Sequence, residues 1–468
     1  HFSAEIDSAK SAYDQGLLAM GEGFIDVPRE RSYSQEGLLD DYDNRLYDLS
    51  VEHDLNTAWT LKAGYSLYNT ETYYRSVYAY ASLKPGDTEA DRYAWFGPED
   101  FKTQTTWVQI NGSFTTGSVE HHLVAGSQLF TMTGDAQAVE TTADTINLYS
   151  YRYYNSKLNT AAYFPPANLT PEAGFITHQD DRAQGVFIQD QINLTEKLIA
   201  QLGLRYDTLE RELDTAYYSP MEHFSADDHQ TSPRAGLVYK ITPQLSTYLS
   251  YSTSFGPGFD FEPSALYEPE TAKQWEAGVK SSLLNNKATL TASLFQLTKQ
   301  NLPTPNPNPL DPIKTLSVGE AQSRGFELDF LGEISPSTSI MANYAYTETE
   351  ITEDFGGTQG KELPNAPKHQ GGAWLHYDFP KALDGLSVGG GFTYSAKRFG
   401  DAKNTYSDGA YTQWDLFTAY SFSLRGNPAT AQLNLTNLTD EHYYVMRARW
   451  TNMPAQPFAA TGSLRLSF

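Results

Sequence analysis

The sequence runs to 468 residues with a formal net charge of -24, no cysteine, and 32 tyrosines within a 13% aromatic content. That much negative charge repels phosphate backbones and argues against a nucleic-acid partner, while the missing cysteine removes disulfides, thiolate metal sites and thiol nucleophiles from consideration. Mean hydropathy is -0.50 and no apolar run approaches the roughly 18 residues of a transmembrane helix, but a spanning β-barrel escapes that test because only alternate residues meet lipid.

The chain opens His1-Phe2-Ser3 without an initiator methionine or signal peptide, as expected of a processed protein or a fragment. A first strand is expected near Phe2–Lys10. Further on, Leu198, Ala200, Leu202, Leu204 and Tyr206 interleave with Ile199, Gln201, Gly203 and Arg205. Leu245, Thr247, Leu249 and Tyr251 alternate with serines and Tyr248, and Ala431, Leu433 and Leu435 alternate with Gln432, Asn434 and Thr436. The final segment sets Ala460, Gly462, Leu464, Leu466 and Phe468 against Thr461, Ser463, Arg465 and Ser467. Period two over such lengths predicts strands with two unlike faces.

The connections alternate in length. Short turns are predicted near Asp54–Thr57, Thr115–Ser118, Thr195–Lys197, Thr242–Gln244, Leu284–Asn286, Ser335–Ser337, Pro380–Gly385 and Ser423–Asn427. Between them lie long polar stretches near 69–102, 131–182, 209–231, 254–272, 298–320, 348–367, 397–410 and 438–457. Loops of that length are unusual in compact soluble domains. Short periplasmic turns exchanging with long extracellular loops are the rhythm of an outer-membrane barrel. The predicted fold is therefore all-β, a transmembrane antiparallel outer-membrane β-barrel of about 18 strands occupying residues 1–468. In that topology the first strand runs upward and the last downward, leaving Phe468 at the periplasmic end. A soluble propeller would show evenly spaced connections and a sequence repeat, and neither is present.

From about residue 232 onward the sequence resembles the TonB-dependent ferric-siderophore receptors. The residues that carry the resemblance are Ser232-Pro233-Arg234-Ala235-Gly236 with Leu249-Ser250-Tyr251-Ser252-Thr253-Ser254-Phe255, then Glu268-Pro269-Glu270 and Trp275-Glu276-Ala277-Gly278-Val279-Lys280. Leu294-Phe295, Gln300-Asn301, Ser323-Arg324-Gly325-Phe326-Glu327-Leu328-Asp329 and Asn365-Ala366-Pro367-Lys368-His369 follow in order. Asn434-Leu435-Thr436-Asn437-Leu438-Thr439-Asp440, Tyr443-Tyr444 and a terminal aromatic complete the series. Earlier, Tyr13-Asp14-Gln15-Gly16 and Asp26-Val27-Pro28-Arg29 resemble an early loop of the family. The family pattern includes an N-terminal plug, a TonB box and about 22 strands. The expectation is therefore a C-terminal barrel portion with plug, TonB box and first strands missing.

What the resemblance implies is an outer-membrane receptor of a Gram-negative bacterium that binds an extracellular ferric siderophore. Import into the periplasm would draw energy from TonB–ExbB–ExbD through the plug. The expected setting is a monomer among outer-membrane lipid and lipopolysaccharide. Iron would arrive as cargo inside the siderophore, with no metal or cofactor bound by the protein itself. A TonB-dependent importer of cobalamin, haem or an oligosaccharide, and a passive diffusion porin, remain open alternatives.

No enzyme is expected, since the HExxH and P-loop patterns are absent. His121 and His122 alternate on a strand and point to opposite faces, so they cannot share a metal. Gly389-Gly390-Gly391 sits in a strand pattern, where backbone crowding or a bulge explains it better than phosphate binding. Glu327 and Asp329 alternate with Phe326, Leu328 and Phe330 and should face the lumen, as polar wall or as contacts to substrate or plug. The ligand-facing candidates are loop aromatics: Tyr73, Tyr74, Tyr78, Tyr80, Tyr93 and Trp95 in one loop, Tyr149, Tyr151, Tyr153 and Tyr154 in the next. A bulky, coordinatively saturated ferric complex calls for flat aromatic surface. The competing role for these side chains is an interfacial girdle.

Overall fold

The structure, a computed structural model, describes residues 2–11, 40–79, 88–149, 170–257, 266–305, 315–448 and 451–467. Its strands are β1 (Phe2–Ser11), β2 (Asp40–Asn56), β3 (Trp59–Ala79), β4 (Glu89–Thr116), β5 (Val119–Asn147), β6 (Phe175–Asn193), β7 (Leu198–Tyr217) and β8 (Glu222–Lys240). They continue as β9 (Leu245–Gly256), β10 (Glu270–Leu283), β11 (Ala288–Pro305), β12 (Thr315–Ser335), β13 (Thr338–Glu353), β14 (His369–Asp378) and β15 (Leu386–Ser395). The last are β16 (Arg398–Phe399), β17 (Ser407–Asp408), β18 (Tyr411–Leu424), β19 (Asn427–Thr436), β20 (Tyr444–Ala448), β21 (Thr451–Pro454) and β22 (Ala459–Leu466). Among the described residues, eighteen strands belong to one sheet, while β16–β17 and β20–β21 form separate two-stranded pairs. The predicted number of long strands and all eight predicted short turns agree with this order.

Two compact units divide the chain. The first comprises His1–Leu237, Tyr251–Lys273 and Lys299–Gly319; the second comprises Val238–Ser250, Gln274–Thr298 and Glu320–Phe468. In the first unit, β1 to β7 pair antiparallel in sequence order. In the second, β12 to β15 continue through β18 and β19 to β22 in the same antiparallel fashion.

Directly paired residues point to the same side of a sheet, so the register sorts every side chain onto one of two faces. In the first unit one face carries Leu61, Ile110, Ala125, Ile188 and Leu204 in a single cross-strand row. Leu204 and Ile188 are about half exposed, at 48% and 49%. In the second unit the matching face carries Leu375, Val388, Leu416, Leu433 and Leu464, most of them well exposed. Apolar side chains displayed this regularly are the signature of a sheet whose outer face meets hydrocarbon.

Aromatic side chains flank that band. Toward the short turns, Trp59 stacks on Phe114 at 6.3 Å and Phe114 on His121 at 4.6 Å. The Trp59 ring lies over Gly112, where a Cβ would stand 2.2 Å from it. Toward the long connections the band ends at Tyr65 and Tyr206. His121 Nδ1 lies 2.6 Å from Asp190 on this face, whereas His122 Nδ1 meets Ser113 at 2.9 Å on the other. The glycine run also has a packing cause: a Cβ at Gly389 would meet the Phe417 ring at 2.2 Å, and one at Gly391 the Ala373 carbonyl oxygen at 2.2 Å.

The strands reach well past the segments expected from alternation. β3 and β4 stay paired from Trp59–Gly112 to Ala79–Arg92, and β5 runs to Asn147, so much of 69–102 and 131–182 is strand and not loop. Beyond the apolar band both faces meet water, so polar residues fall on each and the period-two contrast fades. The hydrogen-bonded ladder needs no such contrast and continues. The 397–410 and 438–457 connections likewise contain the short pairs β16–β17 and β20–β21.

Candidate functional site

Strand extension changes where the expected aromatics stand. Tyr73, Tyr74, Tyr78, Tyr93 and Trp95 lie on the paired ends of β3 and β4, not in a loop. Tyr80, Tyr151, Tyr153 and Tyr154 lie outside the described residues. Tyr149 follows β5, is exposed, and its backbone N–H donates to the Asn147 side chain at 2.9 Å.

The register separates these residues. Tyr78 pairs with Tyr93, Ser76 with Trp95 and Tyr74 with Gly97, all on the face opposite Leu204. Tyr73 belongs to the other face, where Arg75 lies over its ring at 4.4 Å and also pairs with Asp41. Tyr74 meets Tyr42 edge-on at 6.4 Å. Three of the expected residues, Tyr78, Tyr93 and Trp95, therefore share one patch.

Adjacent strands complete that patch with residues not anticipated from sequence. Trp95 pairs with Glu140 of β5, and Phe175 of β6 pairs with Ala138 and with Tyr217 of β7. The rings follow one another: Trp95 to Phe175 at 6.0 Å, Phe175 to Tyr217 at 6.4 Å, Tyr217 to Tyr218 at 5.2 Å. Glu140 is the charged centre. Its carboxylate accepts from the Tyr78 hydroxyl at 2.9 Å and from the Tyr217 hydroxyl at 3.3 Å. Its backbone N–H donates to the Tyr218 hydroxyl oxygen at 2.8 Å, and that hydroxyl lies 3.0 Å from the Glu140 carbonyl oxygen. Tyr218 holds this position with a positive φ of 50°, a left-handed conformation uncommon for a non-glycine residue.

The second unit contains a cavity of about 800 Å³ on its polar face, within the size range of small-molecule sites. Glu327 and Asp329 line it, on the side of β12 opposite Phe326 and Leu328. Trp374 of β14 and Tyr411 of β18 add ring surface. Tyr443 stacks on Tyr411 at 3.7 Å with the planes 3° apart, and its hydroxyl donates to Gln413 at 2.7 Å. Burial pushes the Tyr443 phenol above its ordinary pKa, with Tyr411 and Asp415 adding to the effect. Arg398 is buried, with its guanidinium 5.2 Å over the Tyr411 ring. It pairs with Asp408 at 2.7 Å and donates to the Tyr444 carbonyl oxygen.

Several quoted motif residues hold this wall together. Asn437 is fully buried with φ 52°. Its amide donates to the carbonyl oxygens of Glu441 and Gln456 at 2.9 and 3.0 Å and accepts from the Glu441 N–H at 2.7 Å. Asp440 accepts from the Phe458 N–H at 2.9 Å. Gly325 sits where a Cβ would meet the Tyr346 carbonyl oxygen at 1.9 Å, and Arg324 pairs with Glu348 at 3.0 Å. Asn365, with φ 56°, donates its N–H to Phe399 at 2.7 Å. Lys368 pairs with Glu362 at 2.9 Å, and that hydrogen bond raises the lysine pKa. These residues shape loops and close strand contacts. Among the described residues no cluster of three or more His, Asp or Glu is arranged to hold a metal.

Comparison with known proteins places this architecture. The family described as "TonB dependent receptor-like, beta-barrel" matches residues 5–438. The chain is 28% identical over 487 aligned positions to the metal-pseudopaline receptor CntO of Pseudomonas aeruginosa, covering 99% of this chain and 65% of that protein. It is 30% identical over 420 positions to the ferrioxamine B receptor of Salmonella typhimurium, covering 88% of this chain and 57% of the relative. The chain thus spans less than two thirds of the length of either curated relative. Among solved structures, the siderophore receptor PiuA from Acinetobacter baumannii superposes with a TM-score of 0.81 at 23% identity, covering 99% of this chain and 71% of that one. The ferripyoverdine receptor of Pseudomonas aeruginosa gives a TM-score of 0.82 at 18% identity, covering 100% of this chain and 62% of that one. In outer-membrane barrels of this fold the apolar face meets lipid and the polar face lines the lumen. Leu204 and Leu416 stand on the apolar face, and Glu140, Glu327 and Asp329 on the polar one. By the sequence it matches, the register of its strands and the two unlike faces they present, the chain belongs to the TonB-dependent receptor-like β-barrel family of the outer membrane.

Proposed function

We propose that this chain is the barrel of a receptor that binds an extracellular ferric siderophore and passes it to the periplasm. Energy would come from TonB–ExbB–ExbD, coupled through the plug and TonB box characteristic of the family. The observation that carries the reading is the ring-lined face assembled from β3, β4, β6 and β7 at the end of the sheet that bears the long connections. A ferric siderophore presents a bulky organic surface around a saturated metal. Stacking rings and hydrogen-bonding phenols suit it, and protein ligands to iron are not needed. A relative named as a receptor for ferrioxamine B fits this class of cargo, and one named as a metal-pseudopaline receptor fits a metal-loaded cargo. Tyr78, Tyr93, Trp95, Phe175 and Tyr217 are the ligand-facing residues in this proposal, with Glu327 and Asp329 in the wall of the lumen.

The test is a binding panel on the detergent-purified full-length receptor, read by quenching of intrinsic tryptophan and tyrosine fluorescence. Saturable quenching by a ferric siderophore, but not by its iron-free form or by cobalamin, is the expected result. Saturation by cobalamin, haem or an oligosaccharide, with none by any ferric siderophore, would replace this function with import of that cargo.

A further inference from the structure

We infer that the aromatic face around Glu140 selects a cargo that carries a free ammonium group, and disfavours anionic ferric complexes. The inference rests on the siderophore reading and deepens it by naming the charge of the preferred complex.

Three observations combine. First, the ring cluster is built around a carboxylate. Glu140 accepts two phenol hydrogen bonds, from Tyr78 at 2.9 Å and Tyr217 at 3.3 Å. Neutral donors leave its negative charge in place, and a carboxylate offers about four lone-pair sites, so acceptor capacity remains for an incoming N–H. Second, the Glu140 backbone is held in place. The Tyr218 hydroxyl bonds both the N–H and the carbonyl oxygen of Glu140, at 2.8 and 3.0 Å, and Tyr218 keeps a left-handed backbone to do so. Third, the rings beside it are accessible, with Tyr217 60% and Tyr218 39% exposed.

A carboxylate set among aromatic rings is an arrangement that can recognise ammonium. The ring quadrupole attracts the cation and the carboxylate takes its hydrogen bond. The same chemistry appears elsewhere in this chain with an internal cation. On the opposite face, Arg75 lies over Tyr73 at 4.4 Å and pairs with Asp41. At Glu140 the cation would come from the ligand. A trianionic complex would instead bring like charge against Glu140, in a chain whose net charge of -24 already repels anions at long range.

The experiment measures Kd for the full-length receptor with three probes: a ferric linear trihydroxamate ending in a free amine, its N-acetylated form, and a ferric tris-catecholate. The wild type is expected to bind the amine form roughly tenfold or more tighter than the acetylated form, the range of a charge-assisted hydrogen bond. Glu140→Gln is expected to erase that difference, by weakening binding of the amine form roughly tenfold or more. Equal affinity of the wild type for the two hydroxamates, or preference for the tris-catecholate, overturns the inference and leaves the siderophore reading standing. Binding of none of the three, with saturable binding of cobalamin or haem, overturns both. The wild-type comparison varies only the ligand, so it decides the matter even if Glu140→Gln folds poorly.

Discussion

Replacing Leu204 by arginine places a charge in the middle of the apolar band, in the row of Ile188 and between the aromatic levels of Phe114 and Tyr206. The leucine is 48% exposed to its surroundings, so about half of its surface packs on neighbouring strands and half faces hydrocarbon. Full burial of a leucine is worth about 1.5–3 kcal/mol, so loss of the lipid-facing half costs about 1 kcal/mol. Desolvation of the guanidinium raises the total to about 2–4 kcal/mol at the bilayer midplane. That corresponds to a shift of roughly 30- to 700-fold in the folding equilibrium. The matched control is Gln191→Arg, exposed on the polar face of β6, where a charge meets water and the cost should stay within about 0.5 kcal/mol. The assay is urea-dependent folding of the full-length receptor into lipid vesicles, followed by tryptophan fluorescence and by heat-modifiable gel mobility. Equal destabilisation by the two substitutions, or a larger cost at position 191, would refute the assignment of faces.

Asn437→Ala removes three hydrogen bonds from a fully buried side chain. A loss of about 2–3 kcal/mol is expected, seen as faster proteolysis between β19 and β22 with the remaining strands protected. Arg398→Ala leaves Asp408 buried without its guanidinium. It should cost about 3–5 kcal/mol, measured as a lower thermal midpoint in detergent, whereas Arg398→Lys should recover part of that loss. The Tyr443 phenol, raised by burial, keeps its proton longer in the folded state than in the unfolded one. Its contribution to stability is complete below the ordinary phenol value of about 10 and is lost as pH rises through the folded value. Tyr443→Phe should therefore show a shallower decline in stability above pH ~10 in thermal scans, and should remove one late-ionising phenol from the ultraviolet titration.

The sequence alone determined the strands that cross the bilayer and the turns that join them. Hydrocarbon on one side and a wet lumen on the other impose period two on β7 and β19, as Leu202-Gly203-Leu204 and Leu433-Asn434-Leu435 show. Turn residues such as Gly117, Gly385 and Gly426, all with positive φ, mark the short connections just as plainly. The extensions of β3, β4 and β5 were not legible, because above the bilayer both faces meet water and the alternation that betrays a strand disappears. Pairing register was not legible either, and register alone brings Tyr78, Tyr93 and Trp95 onto one face while sending Tyr73 to the other. Glu140, Phe175 and Tyr217 carry no sequence signal of their own. They lie 35 to 77 residues apart along the chain and meet only because β5, β6 and β7 are held side by side by the ladder. The order of apolar and polar residues follows from the solvent each strand meets locally, whereas the grouping of side chains into a site depends on which strands lie next to one another, and that only the tertiary structure decided.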